Sequence, residues 1–198
     1  MRIGIFGGTF SPVHNGHVAM LESFASEPYI DKILVVPNFI PPHKKEESSV
    51  RVADRIKMLE LAIQGIDKAE VSTIEIERGN ISYTVDTLRE LAGEDELYLL
   101  LGGDMFLSLE FWREPCEIMK LANIVVGRRE NDFVTGEKIK EYKAHLEKKF
   151  GARVFETLFP PVVLSSSEIR ERLAQGENID SLVPTDVAKY IKENGLYL

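Results

Sequence analysis

Arg2-Ile3-Gly4-Ile5-Phe6-Gly7-Gly8-Thr9-Phe10-Ser11-Pro12-Val13-His14-Asn15-Gly16-His17 is the stretch whose reading decides the fold. Arg2 to Phe6 reads as a short buried strand that breaks into a glycine turn and then into a helix opening with two histidines. Glycine lets the backbone approach a ligand closely, and a helix start offers unpaired N–H groups with a partial positive charge. Together, Gly7, Gly8 and the following helix start make a seat for phosphate. His14 and His17 are three residues apart, so they share one face of the helix and point toward the turn. Imidazole donates one hydrogen bond when neutral and two when protonated, and either form suits phosphoryl oxygens that gain charge in a transition state. A simple pair of capping side chains is the bland alternative. Half a zinc site is a weaker one, because zinc takes three or four protein ligands and none of His43, His145 and Cys116 stands at ligand spacing.

Beyond the histidines, strand and helix signals alternate. His14 to about Ser26 is amphipathic through Val18, Leu21 and Phe24, and Ile33 to Val36 suits a buried parallel strand. Pro37 to Lys44 reads as a proline-broken loop, and Val50 to Gln64 as a helix with Ile56, Leu59 and Ile63 at helical spacing. Val71 to Glu77 is strand-like, and Ser82 is placed to cap a helix running to Leu91. Leu97 to Leu101 forms the next strand, ending in Gly102-Gly103-Asp104. Short helices are expected over Met105 to Trp112 and Pro115 to Leu121. Ile124 to Val126 is a strand followed by Arg128-Arg129, Thr135 to Phe150 a charged helix, and Val154 to Phe159 a weaker strand. Helices over Ser165 to Ala174 and Asp186 to Glu193 complete the series.

This order predicts an α/β fold: a doubly wound, mostly parallel sheet with helices on both faces. In such sheets the ligand crevice lies beyond the C-terminal ends of the strands. Gly7-Gly8, the proline loop, Gly102-Gly103-Asp104 and Arg128-Arg129 all follow strands, so they should meet at one edge. The 198 residues, 44% hydrophobic and 28% charged, suit one domain over 1–198 with a helical part from about 165. No internal repeat, low-complexity tract or linker interrupts it, and Lys44 to Ser49 is the segment expected to be most mobile. No run of about eighteen apolar residues offers a membrane span. The N-terminus lacks a basic and apolar signal core, and the single Cys116 excludes an internal disulfide framework. A cytoplasmic protein is expected. A net charge of −8 disfavours wrapping a nucleic acid, but local groups can still bind small anions. No motif bears on oligomeric state, so a homo-oligomer stays open.

A second motif, Ser165-Ser166-Ser167-Glu168-Ile169-Arg170, has capping-box spacing between Ser165 and Glu168 and carries an arginine a turn into the helix, within reach of a phosphate. Taken with Gly-Gly-Thr-Phe-x-Pro-x-His-x-Gly-His at residues 7–17, it resembles the paired signatures of the nucleotidyltransferase superfamily. Pro41-Pro42-His43-Lys44, Ile81 to Leu88, Gly102-Gly103-Asp104 and Phe111-Trp112 narrow the likeness to the bacterial nicotinate-nucleotide adenylyltransferases. So do Ile169 to Leu173, Leu182-Val183-Pro184 and Gly195-Leu196-Tyr197. The resemblance covers nearly the whole chain and is least specific between Asn131 and Phe159.

The resemblance implies adenylyl transfer from ATP to nicotinate mononucleotide, with Mg2+ arriving on the nucleotide and no metal site made by the protein. It implies that His14, His17 and Arg170 are catalytic. ATP would lie against Gly7, Gly8, Thr9, Phe10, Gly16, Gly102, Asp104, Ser165 and Ser166. The acceptor would meet Lys44 in a lid, Tyr83, Thr84, Trp112 stacked on its ring, and Arg113. Two positions depart from the family's usual pattern: Ser11 replaces an aspartate, and Arg113 replaces an aromatic residue. Nicotinamide mononucleotide or another phosphorylated acceptor, and a nucleotide sensor without turnover, are the competing readings.

Overall fold

The computed structural model describes residues 1–42, 50–129, 131–160, 162 and 164–198; Lys44, with the rest of the expected mobile segment, lies outside them. Among the described residues, six strands form one parallel sheet. They are β1 (Arg2–Gly8), β2 (Lys32–Pro37), β3 (Ala69–Val71), β4 (Glu96–Gly102), β5 (Ala122–Arg129) and β6 (Val154–Phe159). Their spatial order is β3-β2-β1-β4-β5-β6, with every neighbouring pair parallel. The expected doubly wound fold is therefore present.

Strand residues alternate between two apolar layers. Phe6, Ile33, Val35, Tyr98, Leu100 and Val125 face one cluster. It contains Leu21 and Phe24 of α1 (Asn15–Ser26) and Met58 and Leu59 of α2 (Val52–Ala62). Ile5, Leu34, Val36, Leu99, Ile124 and Val126 face the other. That layer is completed by α4 (Thr84–Leu91), α6 (Pro115–Leu121) and α7 (Phe133–Phe150) through Leu88, Ile118 and Ile139. Strands covered on both sides read as continuous apolar runs, which is why they were legible without alternation.

Four local expectations are corrected. Residues Val71 to Glu77 do not form one strand: β3 ends at Val71, and α3 (Ile74–Arg78) follows. The helix closes on Gly79 in the left-handed region at φ +69, with Thr73 bonded to Glu77 across its first turn. Ser82 does not cap α4. Its hydroxyl accepts the Phe39 N–H at 2.9 Å, and Tyr83 occupies the cap position. In α2 the buried stripe is Arg55, Met58, Leu59 and Ala62 rather than one through Ile56. Arg128 and Arg129 are the last residues of β5 rather than a loop after it.

The C-terminal helices α8 (Ser166–Ala174) and α9 (Thr185–Glu193) return to the first layer, where Ile169, Val187 and Ile191 are buried with Phe6 and Phe10. Asn15 ties the start of α1 to that return, its backbone N–H donating to the Leu182 carbonyl and its amide to that of Ser181, both at 3.0 Å. The Tyr190 hydroxyl donates to Asp54 of α2 at 2.9 Å. Leu100, 1% exposed and pressed against Gly4 of the adjacent strand, fills the middle of this layer. Replacing it by alanine should cost about 2–5 kcal/mol of stability, read from urea denaturation midpoints at unchanged slope.

Candidate active site

Strand order reverses between β1 and β4, so the loops leaving these neighbours part in opposite directions and open a crevice beyond their C-terminal ends. A cavity of about 590 Å³ occupies it, within the ordinary range for a small-molecule site. Gly7 and Gly8 form its floor at the end of β1. A Cβ on Gly7 would meet only the Val36 carbonyl, at 4.0 Å, so the backbone there is bare toward the cavity. On Gly8 it would strike the Phe10 ring at 2.8 Å. Gly102, Gly103 and Asp104, spanning the end of β4 and the first turn of α5 (Gly103–Phe106), make the opposite wall.

His14 and His17 close the cavity on the α1 side. They cap the helix reciprocally: Nδ1 of His14 accepts the His17 N–H, and Nδ1 of His17 accepts the His14 N–H, both at 3.3 Å. The rings stack with centroids 3.7 Å apart. A nitrogen that accepts carries no proton, so these bonds assign the proton of each neutral ring to Nε2. Burial pushes His14 down to about 4; burial, then the neighbouring His14, pushes His17 down to about 3. At neutral pH both are uncharged donors. Capping uses Nδ1 of each ring and a ligand contact would use Nε2, so the two alternatives read from the sequence do not exclude each other.

The loop from Thr9 to His14 is held from behind. Phe10 adopts φ +48, in the left-handed region that non-glycine residues rarely visit. Its ring is buried among Phe6, Gly8 and the edge of His17. The Arg170 guanidinium donates to the Ser11 carbonyl at 2.7 Å, and the Ser166 hydroxyl to the Pro12 carbonyl at 2.9 Å. The Ser11 hydroxyl pairs with that of Tyr197 at 3.0 Å, and burial raises the Tyr197 phenol to about 12. Arg55 donates to the carbonyls of Thr9 at 2.9 Å and Asn38 at 2.8 Å.

At the far end of the cavity Tyr83 and Thr84 open α4, and Trp112 and Arg113 follow the 3-10 turn Leu109–Phe111. The Arg113 guanidinium lies 4.4 Å from the centre of the Tyr83 ring. The Trp112 indole N–H donates to the Ser108 hydroxyl at 3.2 Å, which fixes the plane of its ring. Neighbouring Glu114 is engaged by Arg89 and lies 3.6 Å from the Nε of Arg113.

A cytidylyltransferase-like family model matches residues 5–172. A probable nicotinate-nucleotide adenylyltransferase of Dictyoglomus thermophilum is 42% identical over 204 residues, covering 100% of both chains. One from Geobacillus thermodenitrificans is 39% identical, covering 99% of this chain and 86% of its own. This chain belongs to the nicotinate-nucleotide adenylyltransferases of the cytidylyltransferase-like family. The fold agrees: the Plasmodium falciparum nicotinic acid mononucleotide adenylyltransferase complexed with NaAD superposes at a TM-score of 0.76 and 20% identity, covering 99% of this chain and 97% of that one. As a member of this family the chain is a nucleotidyltransferase.

The family's motif residues separate into two groups here. Gly7, Gly8, Thr9, His14, Gly16, His17, Gly102 and Asp104 line the cavity, and so do Tyr83, Thr84, Trp112 and Arg113. Phe10, Ser165, Ser166 and Arg170 are not part of its lining. The Phe10 ring is buried against Phe6, Gly8 and His17, the Ser165 hydroxyl caps α8 by accepting the Glu168 N–H, and the other two brace the loop. Sequence reasoning missed Asn38, which lines the cavity and receives Arg55, although it directly follows a strand end. Among the described residues no group of three or more His, Cys, Asp or Glu side chains is placed to hold a metal, and no helix is long and apolar enough to cross a membrane.

The depressed histidines carry a stability signature. In the unfolded chain they bind protons near pH 6.5, while in the folded protein they resist until about 4 and 3. The unfolded state therefore gains protons first on acidification. The stabilisation is full above 6.5 and is lost as pH falls. Between pH 7 and 5 the loss should be roughly 2 kcal/mol per histidine. A double variant, His14→Asn with His17→Gln, should flatten that slope in urea titrations at several pH values.

Proposed function

We propose that this chain transfers the adenylyl group of ATP to nicotinate mononucleotide, releasing pyrophosphate and forming deamido-NAD, a step of NAD biosynthesis. One observation supports this most: the glycine-histidine end and the Tyr83–Trp112 end belong to a single cavity, in a chain matched along its whole length by relatives named for this reaction.

The nucleophile is an oxygen of the acceptor's own phosphate. Its second ionisation lies at a pKa of about 6, so it is largely deprotonated near neutrality and needs no protein base. Alignment and charge stabilisation remain as the protein's task. In this reading ATP lies along Gly7, Gly8 and Thr9, with its ribose toward Gly102 and Asp104. The Nε2–H of His17 meets the α-phosphate, where charge develops, and that of His14 meets the oxygens beside it. Arg170, Ser165 and Ser166 act on the departing β- and γ-phosphates, which requires Arg170 to exchange its carbonyl partner for phosphate. Trp112 covers the pyridine ring. Its carboxylate takes the N–H groups around Thr84 and the guanidinium of Arg113.

Magnesium would arrive on the triphosphate. The carboxylate residues lining the cavity, Glu75, Asp104 and Asp132, are not grouped to hold a metal, so it would be held mainly by phosphate oxygens and water. When bound it would neutralise phosphate charge.

His17→Ala should lower kcat about a hundredfold, the scale of losing a donor used in the transition state. Pyrophosphate release with ATP, magnesium and nicotinate mononucleotide reads it, and an unchanged kcat removes His17 from the chemistry. Trp112→Ala should raise the KM of the acceptor severalfold, in line with about 0.5–1.5 kcal/mol for ring stacking, with the KM of ATP within twofold. An acceptor panel tests the substrate itself. The acid mononucleotide should exceed the amide in kcat/KM, and Arg113→Gln should narrow that gap. Preference for the amide would replace this reading with its nearest competitor.

A further inference from the structure

The side chain of Arg55 is 2% exposed, and among the described residues no carboxylate pairs with it. A guanidinium in that position is costly unless its donors are used. It spends them on two backbone carbonyls, Thr9 after β1 and Asn38 after β2, while its Nε has no partner. The two carbonyls belong to adjacent strand-end turns, already joined by the Asn38 N–H donating to the Gly8 carbonyl at 3.0 Å. A trans peptide is planar, with its C=O and N–H pointing in opposite directions. Drawing the Asn38 carbonyl toward Arg55 turns the Phe39 N–H the other way, and that N–H meets the Ser82 hydroxyl. Drawing the Thr9 carbonyl toward Arg55 likewise turns the Phe10 N–H away, and among the described residues it has no partner. Phe10 is also the residue held at φ +48, a conformation worth roughly 1–3 kcal/mol of strain that persists only where surroundings impose it.

We propose that Arg55 is a positioning residue: by holding the Thr9 carbonyl from beneath, it keeps the peptide between Thr9, which lines the cavity, and the strained Phe10 turned so that its N–H points away from Arg55 and toward the triphosphate beside His14 and His17. Arg55 touches no substrate. It acts through one backbone donor, and its buried charge adds a fixed positive potential beneath histidines that are themselves neutral. The inference rests on the cavity being the site of adenylyl transfer from ATP.

The test has two arms. In the wild-type protein, labelled with 15N, inorganic tripolyphosphate should shift the Phe10 amide resonance downfield and slow its exchange. A Phe10 amide that does not respond overturns the proposal whatever any variant does. In the second arm, Arg55→Met and Arg55→Lys are compared by steady-state pyrophosphate release, counting only protein that melts cooperatively. Arg55→Met should lower kcat on the order of tenfold or more, since small misplacements of aligned groups cost up to about a hundredfold. The acceptor KM should stay within twofold. Arg55→Lys, which can still reach the Thr9 carbonyl, should fall between wild type and the methionine variant. A purely structural role predicts a lower melting midpoint with kcat per folded site unchanged; that result, or equal impairment of both variants, overturns the proposal. If Arg55→Met fails to fold, the resonance titration and Arg55→Lys decide. Wild-type protein inactive toward every acceptor would instead sink the functional reading beneath it.

Discussion

Parallel pairing governs everything else in this molecule. Six strands running the same way deliver all their carboxyl ends to one edge of the sheet, and the reversal of order between β1 and β4 leaves a gap there that no crossover helix fills. Two glycine pairs, Gly7-Gly8 and Gly102-Gly103, face each other across it. The same constraint explains how an acidic chain can bind anions. The attraction does not come from net charge. In the proposed reading it comes from backbone N–H groups at strand ends, neutral imidazole donors and arginines held behind the loop. These are short-range features, largely indifferent to a surplus of carboxylates elsewhere on the surface.

The histidine pair carries structure and, in the proposed reading, chemistry as well. Each ring turns one nitrogen inward to satisfy a backbone donor at the start of α1, where donors would otherwise be orphaned. The other nitrogen is left for the cavity, with its protonation fixed by the first bond. A serine or aspartate cap would satisfy the helix, but would not present a second, tautomer-locked donor. Gly16 belongs to the same device, because a Cβ there would come within 3.1 Å of the His14 ring.

The fold was largely readable because strands buried on both faces are uninterrupted apolar runs, and because the turns after β1 and β4 carry glycine. What escaped has identifiable reasons. Val71 to Glu77 alternates in type, which imitates a strand, while the element that forms over its second half is a five-residue helix too short to show a period. Ser82 has the right chemistry for a cap, yet a tertiary partner, the Phe39 N–H, claims its hydroxyl. Arg55 was hidden by its own type: an arginine is presumed to be solvated, although here it occupies the i position of a stripe continued by Met58, Leu59 and Ala62. Of the residues lining the cavity, those within the motifs were readable from the sequence, and Asn38 was not, because its place depends on which strands are neighbours.

The order in which this architecture is synthesised differs from the order in which it becomes complete. A ribosome that has delivered residues 1–159 has already delivered all six described strands, together with both histidines. The loop from Thr9 to His14 still lacks Ser166, Arg170 and Tyr197, which hold three of its polar groups, and α1 lacks the carbonyls of Ser181 and Leu182 that anchor Asn15. A nascent chain can thus assemble its sheet early while the loop from Thr9 to His14 waits for residues 166–197. Translation products that stop short of that stretch would carry every signature histidine and glycine and yet leave the loop without its rear support.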